Sequence, residues 1–549
     1  MKKKIFIALL FSTASLLTFP ATAQQLRVKI GGKADFGRSN EPVAPIGAQN
    51  NTIYFQTNPS GGISDARANI ALFDAESLNL QQNTKLTVPD NRATLQGFAF
   101  AKKTRWLFAR TFDKATKIDA IKAYKLDIQG QTISKEYPMV EFKNGGGINS
   151  KIVYAHKYNG SKSGTLNFSQ SKATVSTHVS QDSSKIAIIV DADGKDADLQ
   201  RFIIKVFDSA NMSLLWEQIV AMPYTEKNCI PQNTMVTNAG EVILIAKVFK
   251  DKKSEWDPKT KKAAYTCTNF FFDGKSDKAV ETTWKIAGKF MGNFALRERP
   301  ENGNIIVVSA CSANKGSYLG DSDIYLGEAT TDLYGFEVEA KTGALTKEFT
   351  YTINAQDIKH LSVNCVNKKT KKIEKEIAIN NIYIKQDGSL LIDTDIDYEV
   401  QGGAMSMTQD YFYLDDIVFN FDTKQQLKWA TAVPKKLNPT QTYSDLGAAF
   451  SIFKNDKIFI IYNDITKNLE QPIDAKIIQF SFSSKFILAA AQIDENGVLK
   501  RKEIASTQEF SFLIDKSKSI QFADDDLLIT GTQPGFSGDT YKIVRIKAD

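Results

Sequence analysis

Histidine and cysteine are the residues that this chain has least of, and their scarcity removes several kinds of catalytic site. The 549 residues include only three histidines, at positions 156, 178 and 360, and no two stand at the spacing of metal ligands. The four cysteines are Cys229, Cys267, Cys311 and Cys365. They form no C-x-x-C or C-x-x-H pattern, so neither a zinc site nor a histidine-based triad is predicted. The sequence leaves open whether they form disulfides or are buried and unpaired.

Long apolar runs are also absent, apart from one at the N-terminus. Residues 5–19 are mostly apolar, follow three lysines and precede the small residues 21–23. That order is typical of an export signal. We therefore predict a cleaved signal peptide at residues 1–23 and a mature domain at 24–549, exported to the periplasm, the extracellular space or the cell surface. No later run approaches the ~20 apolar residues of a spanning helix, so no transmembrane segment is expected in the mature chain.

A strong surplus of one charge is missing too. The chain has 69 Lys and Arg against 62 Asp and Glu, a net charge of +7. Lysines form short clusters, at residues 259–262 and 368–372, with acidic residues spread between them. We interpret these clusters as solvated surface. A nucleic-acid partner would require basic residues gathered on one face beside aromatic platforms, and export argues against one, so none is predicted.

Eight short, almost wholly apolar runs recur along the chain, and polar turn residues precede many of them. The runs are residues 52–55, 106–109, 186–190, 242–246, 305–308, 390–392, 458–462 and 527–529. A short continuous apolar run is typical of a strand that is buried on both faces, and the preceding turn suits a hairpin. No long segment combines a 3.6-residue apolar period with helix caps, so the sequence predicts an all-β fold.

A second feature follows each run: an alternating strand that ends in an apolar residue and usually an acid. These ends are residues 72–74, 125–127, 206–208, 271–273, 337–339, 420–422, 492–494 and 545–547. Each unit therefore reads as four antiparallel strands. Such a sheet buries both faces only by stacking on neighbours around an axis. We predict a single β-propeller of eight four-stranded blades, with seven as the alternative because the last unit is short.

The last unit lacks an outer strand, because the chain ends two residues after Lys547. Residues 26–30 (Leu-Arg-Val-Lys-Ile) form a strand that belongs to no unit. We predict that this N-terminal strand completes the last blade, which closes the ring and removes an exposed edge.

In such a ring, loops between the second and third strands share one face with the links between blades. We call this the long-loop face, because its loops at residues 251–264, 312–332 and 393–416 are predicted to be long and irregular. The candidate ligand-binding residues on it are Trp256, Tyr318, Tyr325, Asp393, Asp395, Tyr398, Tyr411 and Tyr413. Aromatic rings and carboxylates there suit a glycan or a peptide, and tolerated insertions are the alternative.

Two acidic clusters are candidate cation sites. The first consists of Asp191, Asp193, Asp196 and Asp198, around a glycine, without the EF-hand order or its distal Glu. The second is the alternation of acids at positions 393, 395 and 397, which lie on one face of an extended chain. A solvated turn is the alternative for the first cluster. No cofactor is predicted, with calcium left open.

Two units resemble the quinoprotein-type (PQQ-like) propeller repeat. Residues 207–216 and 421–429 each run from a Phe-Asp turn to a strand that carries Trp, and residues 338–345 resemble a degenerate third copy. Quinone-dependent dehydrogenases of that superfamily carry adjacent cysteines, and this chain has no Cys-Cys pair. The superfamily's scaffold members, which assist outer-membrane protein assembly, need no cofactor and are the closer likeness. The whole pattern is similar to secreted bacterial propellers of uncharacterised function.

Two functions remain open from the sequence. The favoured one is a non-enzymatic recognition or scaffold protein that binds a glycan, or an envelope or extracellular protein, through the long-loop face. The alternative is a carbohydrate-active or hydrolytic enzyme with carboxylates in the central funnel. It requires two carboxylates ~5–9.5 Å apart beside a deep pocket.

Overall fold

The short apolar runs and alternating strands assemble into eight separate antiparallel sheets in a computed structural model of the chain. The structure describes residues 26–34, 36, 40–59, 69–86, 94–101, 104–113, 115–116, 118–127, 129–142, 148–150, 173–192, 199–250, 255–276, 278–286, 288–313, 329–373, 375–401, 409–438, 447, 449–481, 485–533 and 540–549. The predicted signal peptide, residues 1–23, lies outside them.

The first strand and blades 1 to 4 occupy the N-terminal half of the chain. The strands are β1 (Leu26–Ala34); β2 (Asn40–Gln49), β3 (Thr52–Pro59), β4 (Asn69–Asp74) and β5 (Leu80–Lys85) in blade 1; β6 (Thr94–Phe100), β7 (Arg105–Asp113), β8 (Ile118–Leu126) and β9 (Thr132–Phe142) in blade 2; β10 (Ile148–Ser150), β11 (Ala173–Val179), β12 (Lys185–Ala192), β13 (Leu199–Asp208) and β14 (Leu214–Thr225) in blade 3; β15 (Cys229–Val236), β16 (Val242–Phe249), β17 (Tyr265–Phe272) and β18 (Val280–Thr283) in blade 4.

Blades 5 to 8 follow, with longer connections between them. The strands are β19 (Phe290–Glu298), β20 (Ile305–Ser312), β21 (Asp332–Val338) and β22 (Leu345–Thr352) in blade 5; β23 (Ile358–Lys359), β24 (Ile377–Ile384), β25 (Leu390–Gln401), β26 (Gln409–Phe421), β27 (Leu427–Val433) and β28 (Leu437–Asn438) in blade 6; β29 (Phe450–Lys454), β30 (Lys457–Asp464), β32 (Ile487–Ile493) and β33 (Leu499–Ala505) in blade 7, with β31 (Phe480–Ser481) paired to β28; β34 (Leu513–Ala523), β35 (Asp526–Gln533) and β36 (Thr540–Ala548) in blade 8.

Helix is nearly absent from the described residues. It comprises α1 (Thr466–Glu470) and two single 3-10 turns, Glu226–Asn228 and Ala355–Asp357. Within each blade the four main strands are hydrogen-bonded in chain order, from the innermost to the outermost. The fold is an all-β propeller with eight four-stranded blades, so the eight-blade prediction is confirmed and the seven-blade alternative is wrong.

The first strand closes the ring. β1 pairs antiparallel with β36, with Leu26 opposite Ala548 and Ile30 opposite Val544. The order of blade 8 is therefore β1-β36-β35-β34, and the N-terminal strand supplies its outermost position. Leu26, Val28 and Ile30 pack against the core between blades 7 and 8. The predicted closure is confirmed, and β1 covers the edge of β36 that would otherwise be exposed.

Apolar clusters between adjacent blades form the core. Each apolar run of the sequence is the second strand of a blade; in β20, for example, all residues are buried. The two tryptophans of the resemblance lie in equivalent blade-to-blade contacts. Trp216 packs on Gly274 and Trp429 packs on Gly497, each glycine in the turn of the next blade. A β-carbon on Gly274 would lie 2.5 Å from the Trp216 ring, and its φ of 71° also favours glycine.

Strand direction separates the two faces of the ring. Because the four strands alternate, the turn between the first and second strands lies opposite the loop between the second and third. The turns between the first and second strands are short. At Asn50-Asn51 and Asn455-Asp456 both residues have positive φ, which is typical of tight hairpins. We call this the short-turn face. The links between blades emerge with the other loops on the long-loop face.

Candidate functional site

Buried charged and polar side chains are concentrated between blades 6 and 7, near the long-loop end of the strands. We call this group the interblade cluster. Its members are Asp393 and Asp395 on β25, Asp416 on β26, Lys435 after β27, Ser451 on β29, and Tyr462 and Asp464 on β30. All seven are buried. The neighbouring residues Leu391 and Val418 on β25 and β26 pack against blade 7 in the same apolar cluster as Tyr462, which fixes the direction of this face.

Asp393 is held by a hydroxyl of the next blade. Its Oδ2 accepts a hydrogen bond of 2.5 Å from Ser451 Oγ, and the Tyr383 hydroxyl lies 2.9 Å from the same Ser451 oxygen. Burial, with the charges of Asp416 and Asp395, raises the pKa of Asp393 well above its usual range. The Asp393 carboxyl therefore favours its protonated form more than an exposed aspartate does.

Asp416 forms a buried salt bridge at the interface between blades 6 and 7. Its Oδ1 lies 3.0 Å from Lys435 Nζ, and the two side chains are 1% and 2% exposed. Burial raises the pKa of Asp416 to about 7, although the Lys435 ammonium lowers it. A buried ion pair depends on both partners, because removal of one leaves an uncompensated charge in a region of low dielectric.

Asp395 connects the cluster with the central channel. Its Oδ2 lies 3.9 Å from Nζ of Lys516, whose side chain is partly exposed. A bulge between Asp515 and Ile520 interrupts the pairing of β34, the innermost strand of blade 8, and Lys516 lies in it. The same Lys516 donates to Asn380 Oδ1 at 3.3 Å. Residues from blades 6 and 8 thus meet beside the channel.

Asp464, a member of the cluster, and Asp415, which lies outside it, also have raised pKa values. Asp464 Oδ1 accepts from Asn468 Nδ2 at 2.7 Å, and burial raises the pKa of Asp464 to about 6. Asp415 lies on the opposite side of β26, where it accepts from the Ser362 amide at 2.7 Å. Burial raises the pKa of Asp415 to about 6 as well.

Several buried oxygens of the cluster have no hydrogen-bond partner in the described part of the chain. Five of its buried oxygens make no hydrogen bond to the described residues, namely Asp393 Oδ1, Asp395 Oδ1, Asp416 Oδ2, Asp464 Oδ2 and the Tyr462 hydroxyl. Among the residues that the structure describes, however, no three His, Cys, Asp or Glu side chains are arranged to bind a metal. Lys435 is the fully buried cation of the cluster, and burial raises the pKa values of Asp393 and Asp416 beside it.

Side chains also cross the central channel. Asn381 Nδ2 donates to Gln521 Oε1 at 3.2 Å and joins blade 6 to blade 8 past blade 7. Near the short-turn face, Arg297 of blade 5 forms an ion pair with Asp524, in the first turn of blade 8. These contacts bridge strands that are not neighbours in the ring, so the channel is obstructed beside the carboxylates.

Two of the predicted aromatic residues serve the fold. Trp256 is partly buried, forms an isolated β-bridge with Ala263, and has Lys261 Nζ 4.3 Å from its ring centre. Tyr413 is 9% exposed and packs in a small cluster that includes Leu437 and Leu513. Neither ring presents an open stacking surface.

For three further candidates, Tyr398, Tyr411 and Asp191, the structure gives the strand pairing. In the β25–β26 pair, Tyr398 is opposite Phe412 and Tyr411 is opposite Glu399. Asp191 lies in β12, opposite Phe202. The candidates outside the described residues are Tyr318, Tyr325, Asp193, Asp196 and Asp198. The calcium prediction at residues 191–198 therefore stays a prediction.

The predicted irregular loop over residues 393–416 is wrong. β25 continues to Gln401 and β26 begins at Gln409, so most of this segment is paired strand. Its polarity suggested a loop, but the acids alternate with buried Thr394 and Ile396 as strand residues do. The sequence analysis also missed Lys435, Ser451, Tyr462 and Asp464 as neighbours of Asp393. Only the alternating acids signalled a shared face.

One cavity lies on the long-loop face beside blade 5, with a volume of about 200 Å³. It is lined by Met291, Gly292, Ala310, Cys311, Ser312, Thr330 and Glu376. Burial raises the pKa of Cys311 to about 11, so its thiol is protonated and a poor nucleophile. All four cysteines lie among the described residues, where each is buried and none forms a disulfide.

The two described histidines have ordinary structural settings. His178 is buried, with Nε2 2.9 Å from Ser176 Oγ, and burial lowers its pKa to about 4. His360 Nδ1 lies 2.7 Å from Asp474 Oδ1 at the surface. His156 lies outside the described residues. Within the described ranges, no helix is long and apolar enough to cross a membrane.

Comparison with known proteins identifies no family: no family description and no curated protein matches the chain. Among solved structures, prolyl oligopeptidase B from Galerina marginata aligns with a TM-score of 0.36 at 9% identity, over 92% of this chain and 55% of that one. The polysaccharide lyase Uly1 aligns with a TM-score of 0.36 at 11% identity, over 93% and 90%. The β-propeller domain of the Trilobed protease from Pyrococcus furiosus gives 0.33 at 8%, over 86% and 98%.

The chain spans about half the length of the two prolyl peptidases that it matches, 55% of one and 47% of the other. Likenesses of this strength establish no activity for this chain. What the molecule offers a ligand has to be argued from its own residues.

Proposed function

We propose that this protein is a non-enzymatic recognition or scaffold propeller that binds a glycan or a protein partner through its long-loop face. One observation carries the proposal. Asp393 and Asp395, the carboxylates that an enzyme would need in an open funnel, are each 2% exposed and held by Ser451 and Lys516. A carboxylate that must protonate or attack a substrate has to reach it, and these two contact neighbouring blades instead.

The architecture supports the same function. A ring of eight sheets, closed by β1, gives the long-loop face a rigid base. Rigid scaffolds with loops of variable length are where binding surfaces concentrate. Export of the mature domain to the cell envelope or beyond is part of the proposal, as is kinship with the scaffold members of the quinoprotein-type propellers. Export would place the long-loop face among envelope glycans and proteins.

The alternative is a hydrolytic or carbohydrate-active enzyme, and one observation favours it. Burial raises the pKa of Asp416 to about 7 and raises that of Asp393 well above its usual range, whereas Asp395 contacts Lys516 beside the channel. Carboxyl groups with such raised pKa values are common in active sites. In this chain, however, burial against blade 7 accounts for them without any substrate.

Binding and turnover can be measured on the same preparations of the exported protein. Envelope extracts and a panel of glycans are tested for saturable binding, and the same ligands are assayed for released sugar or peptide. Asp393→Asn and Asp395→Asn serve as variants. We expect binding without product, with affinity unchanged in both variants. Product that disappears in both variants would replace this proposal with the enzyme.

A further inference from the structure

Two lysine-rich hairpins of nearly the same sequence stand on the long-loop face. Hairpin 1, residues 256–263, reads Trp-Asp-Pro-Lys-Thr-Lys-Lys-Ala and lies between β16 and β17 of blade 4. Hairpin 2, residues 366–373, reads Val-Asn-Lys-Lys-Thr-Lys-Lys-Ile and lies in the link from β22 to β24. One is a loop between second and third strands and the other is a link between blades, so both emerge on the same face.

Hairpin 1 is closed by backbone contacts and capped by its own aspartate. Trp256 and Ala263 form its bridge, and the Asp257 amide donates to the Lys262 carbonyl at 2.8 Å. Asp257 Oδ1 accepts from the Lys259 amide at 2.7 Å. The one acid of the hairpin thus accepts hydrogen bonds from its backbone.

Hairpin 2 repeats this geometry bond for bond. Val366 and Ile373 form the bridge, and the Asn367 amide donates to the Lys372 carbonyl at 2.9 Å. Asn367 Oδ1 accepts from the Lys369 amide at 2.8 Å. Here the capping residue is uncharged, so hairpin 2 contains no acid at all.

Both hairpins keep a lysine where the backbone disfavours one. Lys261 and Lys371 occupy the same position, and each has a φ of 59°. Glycine or asparagine would adopt this left-handed conformation more easily than lysine. Lysine at this position in both hairpins favours a role for its side chain other than forming the turn.

The lysine side chains of both hairpins are exposed and unpaired. Seven lysines are concerned: Lys259, Lys261, Lys262, Lys368, Lys369, Lys371 and Lys372. No ion pair joins any of them to an acid among the described residues. The nearest acid in the sequence outside hairpin 1 is Glu255, and it pairs with Lys247 at 3.1 Å. All seven are exposed on this side of the ring; the ammonium group of Lys261 lies 4.3 Å from the centre of the Trp256 ring, and the other six form no ion pair with the described residues.

The hairpins flank blade 5. The Ala263 amide of hairpin 1 donates to the Gly288 carbonyl at 3.2 Å, just before the first strand of blade 5. Hairpin 2 follows the last strand of the same blade and leads to Glu376, which lines the cavity of about 200 Å³. A small anion would contact one hairpin, whereas a polymer that lies across blade 5 would contact both.

We propose that hairpins 1 and 2 together bind an acidic polysaccharide, a glycan that carries carboxylate or sulfate groups, across the edge of blade 5. The inference rests on the proposed function of the long-loop face and adds the chemical class of its ligand. Single exposed ion pairs contribute little, but repeated pairs along one polymer add up and make binding bivalent. Trp256, the one aromatic residue of the hairpins, is half-covered by Lys261, so the surface offers no stacking platform for nucleic-acid bases.

The test compares two variants that lose the same charge. The hairpin 2 variant replaces Lys368, Lys369, Lys371 and Lys372 with Gln. The matched control replaces Lys29, Lys33, Lys500 and Lys502 with Gln, four exposed lysines on β1 and β33. The probes are polygalacturonate, dextran sulfate, neutral dextran, double-stranded DNA and phosphatidylglycerol vesicles. Thermal unfolding checks that both variants fold like the wild type.

We expect the wild type to bind polygalacturonate or dextran sulfate, with affinity that falls as salt rises, and to leave dextran unbound. The hairpin 2 variant should bind about tenfold more weakly, since four exposed ion pairs of a few tenths of a kcal/mol each correspond to that factor. The control should stay within about twofold of the wild type. Whichever acidic polymer binds better identifies carboxylate or sulfate as the preferred group.

Equal losses in the hairpin 2 variant and in the control would overturn this inference, because general positive charge would then explain the binding. Tighter binding to DNA or to vesicles than to either acidic glycan would overturn it as well. Binding of a neutral glycan or an envelope protein that both variants retain would refute the inference but leave the proposed function intact. Failure to bind any envelope component would remove the proposed function itself.

Discussion

The interface between blades 3 and 4 and the interface between blades 6 and 7 use equivalent strand positions for opposite chemistry. When the paired strands are counted from their Phe-Asp turns, Ile189 takes the position of Asp393, and Phe202 takes that of Asp416. Ile189 and Phe202 pack in an apolar cluster between blades 3 and 4. The two aspartates depend instead on Ser451 and Lys435. The same strand positions therefore accept either an apolar interface or one that contains charged side chains.

The stabilities of the two interfaces should depend differently on pH and on single charged residues. The apolar burial of Ile189 and Phe202 at the first interface does not itself depend on pH or on a partner charge. The second interface holds carboxyl groups with raised pKa values beside one buried lysine, so its stability depends on protons and on that lysine. Substitutions that exchange or break these features test the comparison.

The largest effect is expected when a carboxyl group is placed in the apolar interface. Ile189→Asp removes a buried aliphatic side chain and leaves an acid with no cation near it. We expect a loss of about 4 kcal/mol in the free energy of unfolding, measured by urea titration. Ile189→Leu is the control, with a loss below about 1.5 kcal/mol. Similar losses in the two variants would mean that this interface tolerates charge.

Loss of the cation from the polar interface should cost nearly as much. Lys435→Met leaves Asp416 buried without its partner, and we expect about 3 kcal/mol less stability at pH 8. The double variant Lys435→Met/Asp416→Leu should recover more than half of that loss, because no charge remains buried. Lys436→Met, at a less buried neighbouring position, should stay within about 0.5 kcal/mol. A double variant no better than Lys435→Met would contradict the pairing.

The pH dependence comes next in size. Burial raises the pKa of Asp416 to about 7 and raises that of Asp393 well above its usual range, so between the ordinary aspartate pKa and these raised values the folded protein holds protons that the unfolded chain has released. Stability should therefore fall as pH rises from 6.5 to 8, by up to about 1.4 kcal/mol per pH unit for each extra proton. His178, whose pKa burial lowers from 6.5 to about 4, opposes this trend weakly near pH 6.5, where about half of that histidine is still protonated in the unfolded chain, and no longer does so at pH 8.

Asp416→Asn should flatten this dependence, and Ile189→Leu should leave it unchanged. Unfolding midpoints at pH 6.5 and pH 8 provide the measurement. Glu298, whose pKa burial raises to about 7, contributes a separate part of the slope. A slope that Asp416→Asn leaves intact would move the proton linkage from the blade 6–7 interface to Glu298.

The smallest effects concern two tyrosines in the polar interface. The Tyr383 hydroxyl donates to the Ser451 carbonyl at 2.9 Å, so Tyr383→Phe should cost about 1 kcal/mol. The Tyr462 hydroxyl makes no hydrogen bond to the described residues, and Tyr462→Phe should change stability by less than about 0.5 kcal/mol. Thermal unfolding of the two variants, each compared with the wild type, provides the measurement. The reverse order would place the important hydrogen bond at Tyr462.

The fold was largely predictable, because its strongest signals are local. Continuous apolar runs identified all eight second strands, and the unassigned strand at residues 26–30 identified the closure. The interblade cluster was predictable only in part. Asp393 and Asp395 stood out by their alternation, but Ser451 is 58 residues away from Asp393, and Lys435 is 19 residues away from Asp416. Partners at such separations are brought together by the ring and leave no local pattern.

The shared location of the two lysine hairpins could not be predicted from their sequence pattern alone. Their near-identical sequences are visible in the chain, but one belongs to a loop within a blade and the other to a link between blades. Only strand direction shows that such segments emerge on the same side. The pattern alone therefore suggested solvated surface, and the topology made it a candidate binding element.

The pairing of β1 with β36 also has a consequence for biogenesis. β1 precedes its hydrogen-bonding partner β36 by almost the whole propeller. Blade 8 can therefore be completed only after translation has passed β36, and a chain cut short near residue 540 would leave β1 and β35 each with an unpaired edge. Cellular quality control that recognises exposed edges could thus tell finished molecules from unfinished ones.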